Sequence, residues 1–421
     1  MNQFRNHNQN LIRAIENIVD SEDSSQLFDL IDLDGIDLIA RQLLTSEEMK
    51  NAGSFFTGQA LSSRLVADIK NTITENSVIL DPTCGTGNLL IEASRQLAIK
   101  KGLKDTLSKW GEQLSGYDIN PSFVDAAKLR IILEAISRGA NKDCTIDEAM
   151  LSLKKILAKN TLETTKKDLK KVTHILMNPP FSNWQLDTPG YFTSGKTNAA
   201  SVLLIHFIRE MREGCYINAI LPDVIRSGSR YVKTRQFSND NIAAVCTVWG
   251  RFNKKTNVDV FILAGKKTNK ETGIKWQKEN HERPAISSRY LIKIGPLVSY
   301  RDKEEGPLAP YLHQKNSPHG KAISYISEKR RFKGKLYTPP FVVVKRTSSP
   351  KDNPRASATL ILGKKPIAVE NHMVIIKPFS GCLDECLKLF HILDKGSTTD
   401  FLNERIRLRH LTVKAIGEIP L

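Results

Sequence analysis

Two short segments carry side chains whose types and order could do chemistry. The first is Asn178-Pro179-Pro180-Phe181, directly behind the apolar run Ile175-Leu176-Met177. Proline has a fixed φ and no backbone N–H, so the pair ends a strand and stiffens the loop leaving it. The Asn178 amide oxygen and the proline carbonyls can accept hydrogen bonds, and Phe181 offers a flat apolar face. Such a set suits a planar ring bearing an exocyclic amine. Two acceptors take its N–H hydrogens while the aromatic stacks on the ring. Drawing those hydrogens out of the ring plane relocalises the nitrogen lone pair, so methylation of an amine is the natural reading. For a four-residue motif read alone, a tight turn with an exposed Asn is an equal alternative.

The second segment is Asp81-Pro82-Thr83-Cys84-Gly85-Thr86-Gly87-Asn88, between the apolar run Ser77 to Leu80 and an amphipathic stretch from Leu89 to Ile99. That is strand, glycine-rich turn, helix. Gly85 and Gly87 permit positive φ and close backbone approach, and the helix start offers free N–H groups to an anion. The turn lacks the spacing of a dinucleotide fingerprint and the Gly-Lys-Ser/Thr ending of a P-loop, so it does not hold a triphosphate. A zwitterionic methionine moiety fits better, with Asp81 meeting the ammonium and loop amides the carboxylate. Downstream, Leu114 to Asp118 reads as a second strand ending in a carboxylate where a ribose diol is commonly held. Asp118 also suits the cap of the helix that Pro121 opens, and both roles can hold at once.

DPTCGTGNLL at 81 to 90, YDINP at 117 to 121 and NPPF at 178 to 181 resemble the ordered motifs of S-adenosyl-L-methionine-dependent DNA adenine-N6 methyltransferases. The resemblance extends over about residues 50 to 266. It implies that Gly53 to Gln59 is the cofactor motif preceding the turn, with Phe56, Thr57 and Gly58 near the methionine end. It implies cofactor contacts from Asp81, Thr83, Cys84, Gly85, Thr86, Gly87, Asn88, Asp118, Ile119 and Asn178, and a catalytic tetrad Asn178, Pro179, Pro180 and Phe181. Segment 217 to 231 is similar to the strand and loop that come after the tetrad. Phe252, before the strand Val258 to Leu263, resembles the late aromatic that packs on the flipped base opposite Phe181. Where the family has an Asp toward the cofactor adenine this chain has Asn160, whose amide oxygen can accept; Asp147 is the competing residue. His174 stands where an acid often precedes the tetrad strand, and reads as a satisfied strand-start histidine.

These motifs need a parallel sheet, and residues 51 to 268 alternate apolar strand runs with helical patterns accordingly. The expected fold is α/β, a Rossmann-like class I methyltransferase sheet. Residues 1 to 50, with Leu11, Ile15, Ile18, Leu27, Leu30 and Ile31 at helical spacing, form a short helical lead-in, read as a cap on the sheet in preference to a subunit contact. Residues 269 to 421 mix strands such as Phe341 to Val344 with late helices, as an α+β recognition domain.

Charge supports a polyanionic partner. Residues 1 to 250 hold 29 Lys+Arg and 29 Asp+Glu, and residues 251 to 421 hold 33 and 16, so the entire +17 excess lies in the C-terminal part. Such confinement suits phosphate contacts and counterion release. Lys329, Arg330, Arg331, Lys333, Lys345 and Arg346 are the phosphate-contact candidates; such contacts position and do not specify. Duplex DNA is the expected partner, with a restriction endonuclease or specificity subunit as a further one. An RNA or protein-glutamine methyltransferase, or a DNA-binding subunit of a larger complex, is the other reading. Six scattered cysteines, of which only Cys382 and Cys386 are close, fit a reduced cytoplasmic setting and no metal site. No stretch is long and apolar enough for a membrane span.

Overall fold

The computed structural model describes residues 2–18, 25–45, 57–185, 195–253, 256–277 and 283–421. The chain forms two compact units, Met1–Trp276 and Gln277–Leu421. The first holds a seven-stranded sheet of order β3-β2-β1-β4-β7-β9-β8, built from β1 (Ile79–Asp81), β2 (Leu114–Asp118), β3 (Ile156–Ala158), β4 (His174–Met177), β7 (Tyr216–Pro222), β8 (Ile242–Arg251) and β9 (Asp259–Lys267). A short hairpin, β5 (Asn183–Gln185) with β6 (Lys196–Asn198), comes after the tetrad.

β1, β2, β3, β4 and β7 pair in parallel, while β9 runs antiparallel to both β7 and β8. β1 and β4 are buried throughout, as parallel strands covered on both faces must be. Side-chain alternation divides the core in two. Ile79, Leu176, Ile220 and Ile262 pack on one face with the helices Asn88–Ser94 and Pro121–Ser137. Leu80, Ile175, Met177 and Leu221 pack on the other with the helix Ala199–Glu210.

The chain builds outward from β1 through β2 to β3, then returns to lay β4 on the opposite side of β1. That reversal leaves a crevice beyond the carboxyl ends of β1 and β4, the usual ligand site of an open α/β sheet. The glycine turn leaves β1 and the tetrad leaves β4, so topology alone brings the two signature segments together.

The N-terminal helices Asn2–Asn17, Ser25–Ile31 and Gly35–Leu43 belong to this unit. Leu11, Ile15, Ile31 and Leu33 are buried in the same cluster as Leu129 and Ile132, and the Phe4 ring meets Phe123 edge-on at 4.8 Å. The domain boundary expected at 268/269 falls instead at 276/277. Ile274 joins the core, and Trp276 Nε1 donates to Asn239 Oδ1 at 2.8 Å while its ring packs edge-on against Phe261. Apolar side chains in a lysine-rich stretch thus keep it on the sheet.

The second unit is α+β, as expected. A five-stranded sheet has the order β10-β17-β14-β15-β12, from β10 (Tyr290–Ile294), β12 (Lys321–Ile323), β14 (Phe341–Lys345), β15 (Ala358–Ile361) and β17 (Met373–Pro378). Val342, Val344, Val374 and Ile376 pack against the helices Leu383–Asp394 and Gly396–Arg405; Phe341, Val343 and Ile375 line the other face. A smaller sheet joins β11 (Leu308–Leu312), β13 (Lys329–Arg331) and β16 (Ala368–Val369). Cys386 is buried in the helix packing and both it and Cys382 are free thiols. No described helix is long and apolar enough to cross a membrane.

Candidate active site

A cavity of about 450 Å³ opens beyond the carboxyl ends of β1, β2, β3 and β4. Each strand contributes its next few residues: Asp81 to Gly85 from β1, Asp118 and Ile119 from β2, Asn160 to Leu162 after β3, and Asn178 and Pro180 after β4.

The turn after β1 is shaped by its own hydrogen bonds. Asp81 Oδ1 accepts from the Thr83 N–H at 3.0 Å, and Cys84 N donates to the Tyr117 carbonyl at 2.9 Å. Gly85, at φ 50°, donates its N–H to Asp118 Oδ2 at 3.1 Å, and Asp118 Oδ1 accepts from Asn120 N at 2.8 Å. Asp118 therefore ties the turn to the second strand, and the cap of the helix Pro121–Ser137 is Asn120, which accepts from Ser122 N. Gly87 has φ 88° and lies where a Cβ would meet Ala127 Cβ at 2.9 Å. Only glycine fits there.

The electrostatics are unusual. Burial pushes the Asp81 carboxyl up from 3.8 to about 8, the Thr83 N–H offsets part of this, and the Asp118 charge adds to it. Burial likewise raises Asp118 to about 6, against the pull of the Asn120 and Gly85 N–H groups. Burial and the two nearby acids push the Cys84 thiol well up, so it stays protonated and is no nucleophile. A buried carboxyl, Asp81, and a half-buried one, Asp118, thus face one cavity. A ligand bringing a cation to Asp81 and hydroxyl donors to Asp118 would relieve both. Thr83 Oγ1 and Thr161 Oγ1 are buried at the same cavity with no hydrogen-bond partner among the described residues, as donors and acceptors awaiting a polar ligand would be.

On the β4 side, Asn178 Nδ2 donates to Thr57 Oγ1 at 2.9 Å. The loop behind it is fixed by Asn198, whose Nδ2 donates to the Phe181 carbonyl at 2.8 Å and whose Oδ1 caps the helix Ala199–Glu210. Phe252, just past the carboxyl end of β8, is 6% exposed and its ring meets Phe181 at 5.7 Å and 86°.

Not every residue of the motifs reaches the cavity. Thr57, Asp81, Thr83, Cys84, Gly85, Asn88, Asp118, Ile119, Asn160, Asn178 and Pro180 line it. Gly58 begins the helix Gln59–Ala67 and Gly87 the helix Asn88–Ser94, away from the lining. Thr86 is buried and accepts from Arg130 Nη1, and Pro179 is buried in the loop. Phe56 lies outside the described residues. Asn160 Oδ1 accepts from Leu162 N at 3.2 Å at the cavity wall, whereas Asp147 is exposed on the helix Ile146–Ser152 and does not line it. His174 is held between Thr72 and Thr173 hydroxyls and stacked on Tyr216 at 5.0 Å; burial lowers it to about 4, so it is a neutral packing residue.

Arg130 is the residue the motifs did not reveal. Fully buried, it donates to the carbonyls of Leu30, Ile31, Asp32 and Thr86 and to Asn88 Oδ1, joining the lead-in to the glycine turn. A charge inside the apolar run Leu129 to Leu133 was the available signal.

In the second unit Lys329, Arg331 and Lys333 are exposed on and beside β13, and Lys345 and Arg346 are half-buried. Arg330 is a correction. Its Nη2 donates to the Ser299 and Asp302 carbonyls at 3.0 and 2.8 Å and its guanidinium lies over the Tyr311 ring, so it holds the fold together instead of facing a phosphate. Alternation along a three-residue strand turns the middle residue inward.

The sheet order, its reversed strand and the crevice at the β1/β4 switch are those of a class I S-adenosylmethionine-dependent methyltransferase fold. The chain belongs to the N-6 DNA Methylase family, whose model matches residues 40–283. No curated protein matches it. Among solved structures, the DNA-bound type IIL restriction-modification enzyme MmeI is similar at 12% identity and TM-score 0.56, over 92% of this chain and 70% of MmeI. The type IIG restriction endonuclease BpuSI matches at 13% identity and TM-score 0.46, over 94% of this chain and 61% of its own. A methyltransferase subunit of a type I restriction-modification system from Streptococcus thermophilus matches at 16% identity and TM-score 0.38, over 60% and 51%. The MmeI likeness is one of fold, and the chain spans about three fifths of BpuSI's length.

Proposed function

We propose that this protein is a site-specific DNA methyltransferase that transfers a methyl group from S-adenosyl-L-methionine to N6 of an adenine rotated out of duplex DNA. The observation that carries the reading is the placement of the Asp81 turn and the Asn178 tetrad on neighbouring strands around one cavity. S-adenosylmethionine, when bound, supplies an electrophilic methyl group on a sulfonium sulfur. The donor set fits it: Asp81 meets the ammonium, Asp118 accepts from the ribose hydroxyls, Ile119 covers the adenine ring, and Asn160 and Leu162 close that end.

Base rotation is required because an adenine amine is out of reach inside the stack. Asn178 Oδ1 and the Pro179 carbonyl accept from the two N6 hydrogens, and Phe181 stacks on the ring. Both acceptors pull the hydrogens out of the ring plane and direct the lone pair at the methyl carbon. With the bound cofactor supplying the methyl group and its sulfur keeping the bonding pair, the same two oxygens would stabilise the positive charge N6 acquires until its proton passes to water. The rate gain is chiefly positional.

The C-terminal unit acts as the target-recognition domain, with Lys329, Arg331, Lys333, Lys345 and Arg346 on phosphates. A restriction-modification role, with a nuclease or specificity partner, is the setting the family supports. The test is transfer of labelled methyl to duplex DNA, with ribosomal RNA and protein substrates in parallel. Label in N6-methyladenine supports the reading, and label confined to RNA or protein overturns it.

A further inference from the structure

Tyr325 is 77% exposed, on a segment between β12, the outer strand of the five-stranded sheet, and β13 of the smaller sheet. That segment is fixed along its length. The Ile323 carbonyl accepts from Leu362 N at 2.8 Å, Ile326 is buried with Leu312, Tyr337 and Phe341, and the Glu328 carbonyl accepts from Tyr311 N at 2.9 Å. Ile326 thus anchors the chain in the core while the neighbouring ring is held out in water.

A single exposed aromatic needs no explanation by itself, so its surroundings decide. Residues 320–337 and 358–368 carry six Lys and two Arg against one acid, Glu328. That acid is already engaged: Asn316 Nδ2 donates to its Oε1 at 3.2 Å, and His313 Nε2 lies 3.0 Å from its Oε2. β12 pairs in parallel with β15 up to Ile323 and Ile361. Gly363, at φ 109°, then turns the chain so close that a Cβ there would meet the Ser324 carbonyl at 3.2 Å. Lys364 and Lys365, both exposed, come directly after that turn and so stand beside the segment bearing Tyr325. Tyr300 makes the contrast. It is more exposed, at 87%, but residues 298–306 around it carry three acids against two cations. Of the two rings, the one at 325 sits where a polyanion is drawn.

Lysines bring phosphates to a surface and place a duplex there, but they do not read it. Reading needs a group that reaches the bases, and a tyrosine on a fixed segment supplies a large flat contact with little ordering still to be done. We propose that residues 324–328 are a DNA-reading segment of the C-terminal unit, in which the Tyr325 ring packs against bases in a groove of the duplex while Lys364 and Lys365 hold the flanking phosphates. This rests on the reading of the protein as a DNA methyltransferase and adds a side chain through which its second unit distinguishes sequences. The ring contributes binding that varies with sequence, and the lysine pair binding that varies with salt.

The test uses the full chain as parent, Tyr325→Ala, Tyr325→Phe and a paired Lys364→Ala, Lys365→Ala variant. Each is incubated with S-adenosylmethionine and a pool of random-sequence duplexes, and the sequences around every N6-methyladenine are read. Affinity is then measured against salt on the duplex that the parent methylates best, with duplex RNA of the same sequence alongside. Tyr325→Ala should bind that DNA roughly five- to a hundredfold more weakly, the range of one base contact. It should also relax the preference at the positions the ring touches and leave the salt slope unchanged. Tyr325→Phe keeps the ring and should stay within about threefold of the parent. The lysine pair should bind every duplex more weakly and lower the slope of log affinity against log salt by about 0.9 for each phosphate released. All variants should melt with the parent, since the three side chains are exposed. Unchanged affinity and sequence preference in Tyr325→Ala, a phenylalanine variant as weak as alanine, a lysine pair with the parent's slope, or a Tyr325 effect confined to duplex RNA overturns the proposal while the parent still methylates DNA. A parent that forms no N6-methyladenine overturns the underlying methyltransferase reading, and this inference with it.

Discussion

The rings of Phe181 and Phe252 touch edge to face, 5.7 Å apart at 86°, though they are 71 residues apart and leave different strands, β4 and β8. A base held between two aromatic faces needs parallel rings separated by about 7 Å, two ordinary stacking distances. The pair is therefore in contact with itself, and under the proposed function it would have to part to admit a base. Edge-to-face contact is worth only about 0.5–1.5 kcal/mol beyond burial, less than base stacking can return.

Phe252→Ala should accordingly lower kcat/KM on duplex DNA by roughly five- to a hundredfold, the range of one base-aromatic stack. Cofactor affinity should not change, since the ring does not line the cofactor cavity. Steady-state methylation alongside calorimetric cofactor titration separates the two.

Asp81 sets a pH dependence. Its folded value is about 8 against 3.8 unperturbed, so at neutral pH the unliganded carboxyl is largely protonated. A cationic ammonium favours the ionised form, so binding releases a proton below pH 8 and cofactor affinity rises from pH 6 to 8. For stability the sign is opposite. A raised folded value stabilises the fold below the unfolded value, and that contribution is lost as pH rises from about 4 through about 8. The thermal shift produced by cofactor should grow across this window, and Asp81→Asn should flatten it.

Arg130→Met keeps length and removes the guanidinium donors from the buried bonds to the Thr86 and Ile31 carbonyls and the Asn88 amide, and from the part-buried ones to the Leu30 and Asp32 carbonyls. Unsatisfied buried acceptors cost about 1–3 kcal/mol each before relaxation, so a loss of about 3–5 kcal/mol is expected. Urea denaturation measures it directly. Had Arg130 served only solubility, the midpoint would not move.

The basic strand β13 separates two roles within three residues. Replacing Lys329, Arg331 and Lys333 by Ala should flatten the dependence of log affinity on log salt by about 0.9 for each phosphate left unneutralised. Arg330→Ala should lower the melting temperature, with little change in that slope.

The sequence made legible whatever depends on local pattern. The turn from Asp81 to Asn88 and the tetrad could be found because glycine and proline mark backbone geometry directly, and the succession of apolar strand runs and helical patterns over residues 51 to 268 indicated the sheet class. The hidden part was long-range. Thr57 reaches Asn178 across 121 residues and Arg130 reaches Leu30 across 100, and no spacing rule encodes either. The inward turn of Arg330 depended on a register that a run of basic residues does not reveal. The boundary at Trp276 was obscured because lysines around Ile274 and Trp276 outweighed two apolar anchors in the local pattern.

Methyl transfer as proposed here depends above all on Asn178 presenting a target amine from DNA to the methyl donor. Its most direct test is mass spectrometry of nucleosides from duplex DNA incubated with labelled S-adenosylmethionine and either the parent chain or Asn178→Ala. Labelled N6-methyladenine is expected with the parent and none with the variant, both proteins binding cofactor and DNA alike. Label in another base, or equal N6-methyladenine from Asn178→Ala, would contradict that role.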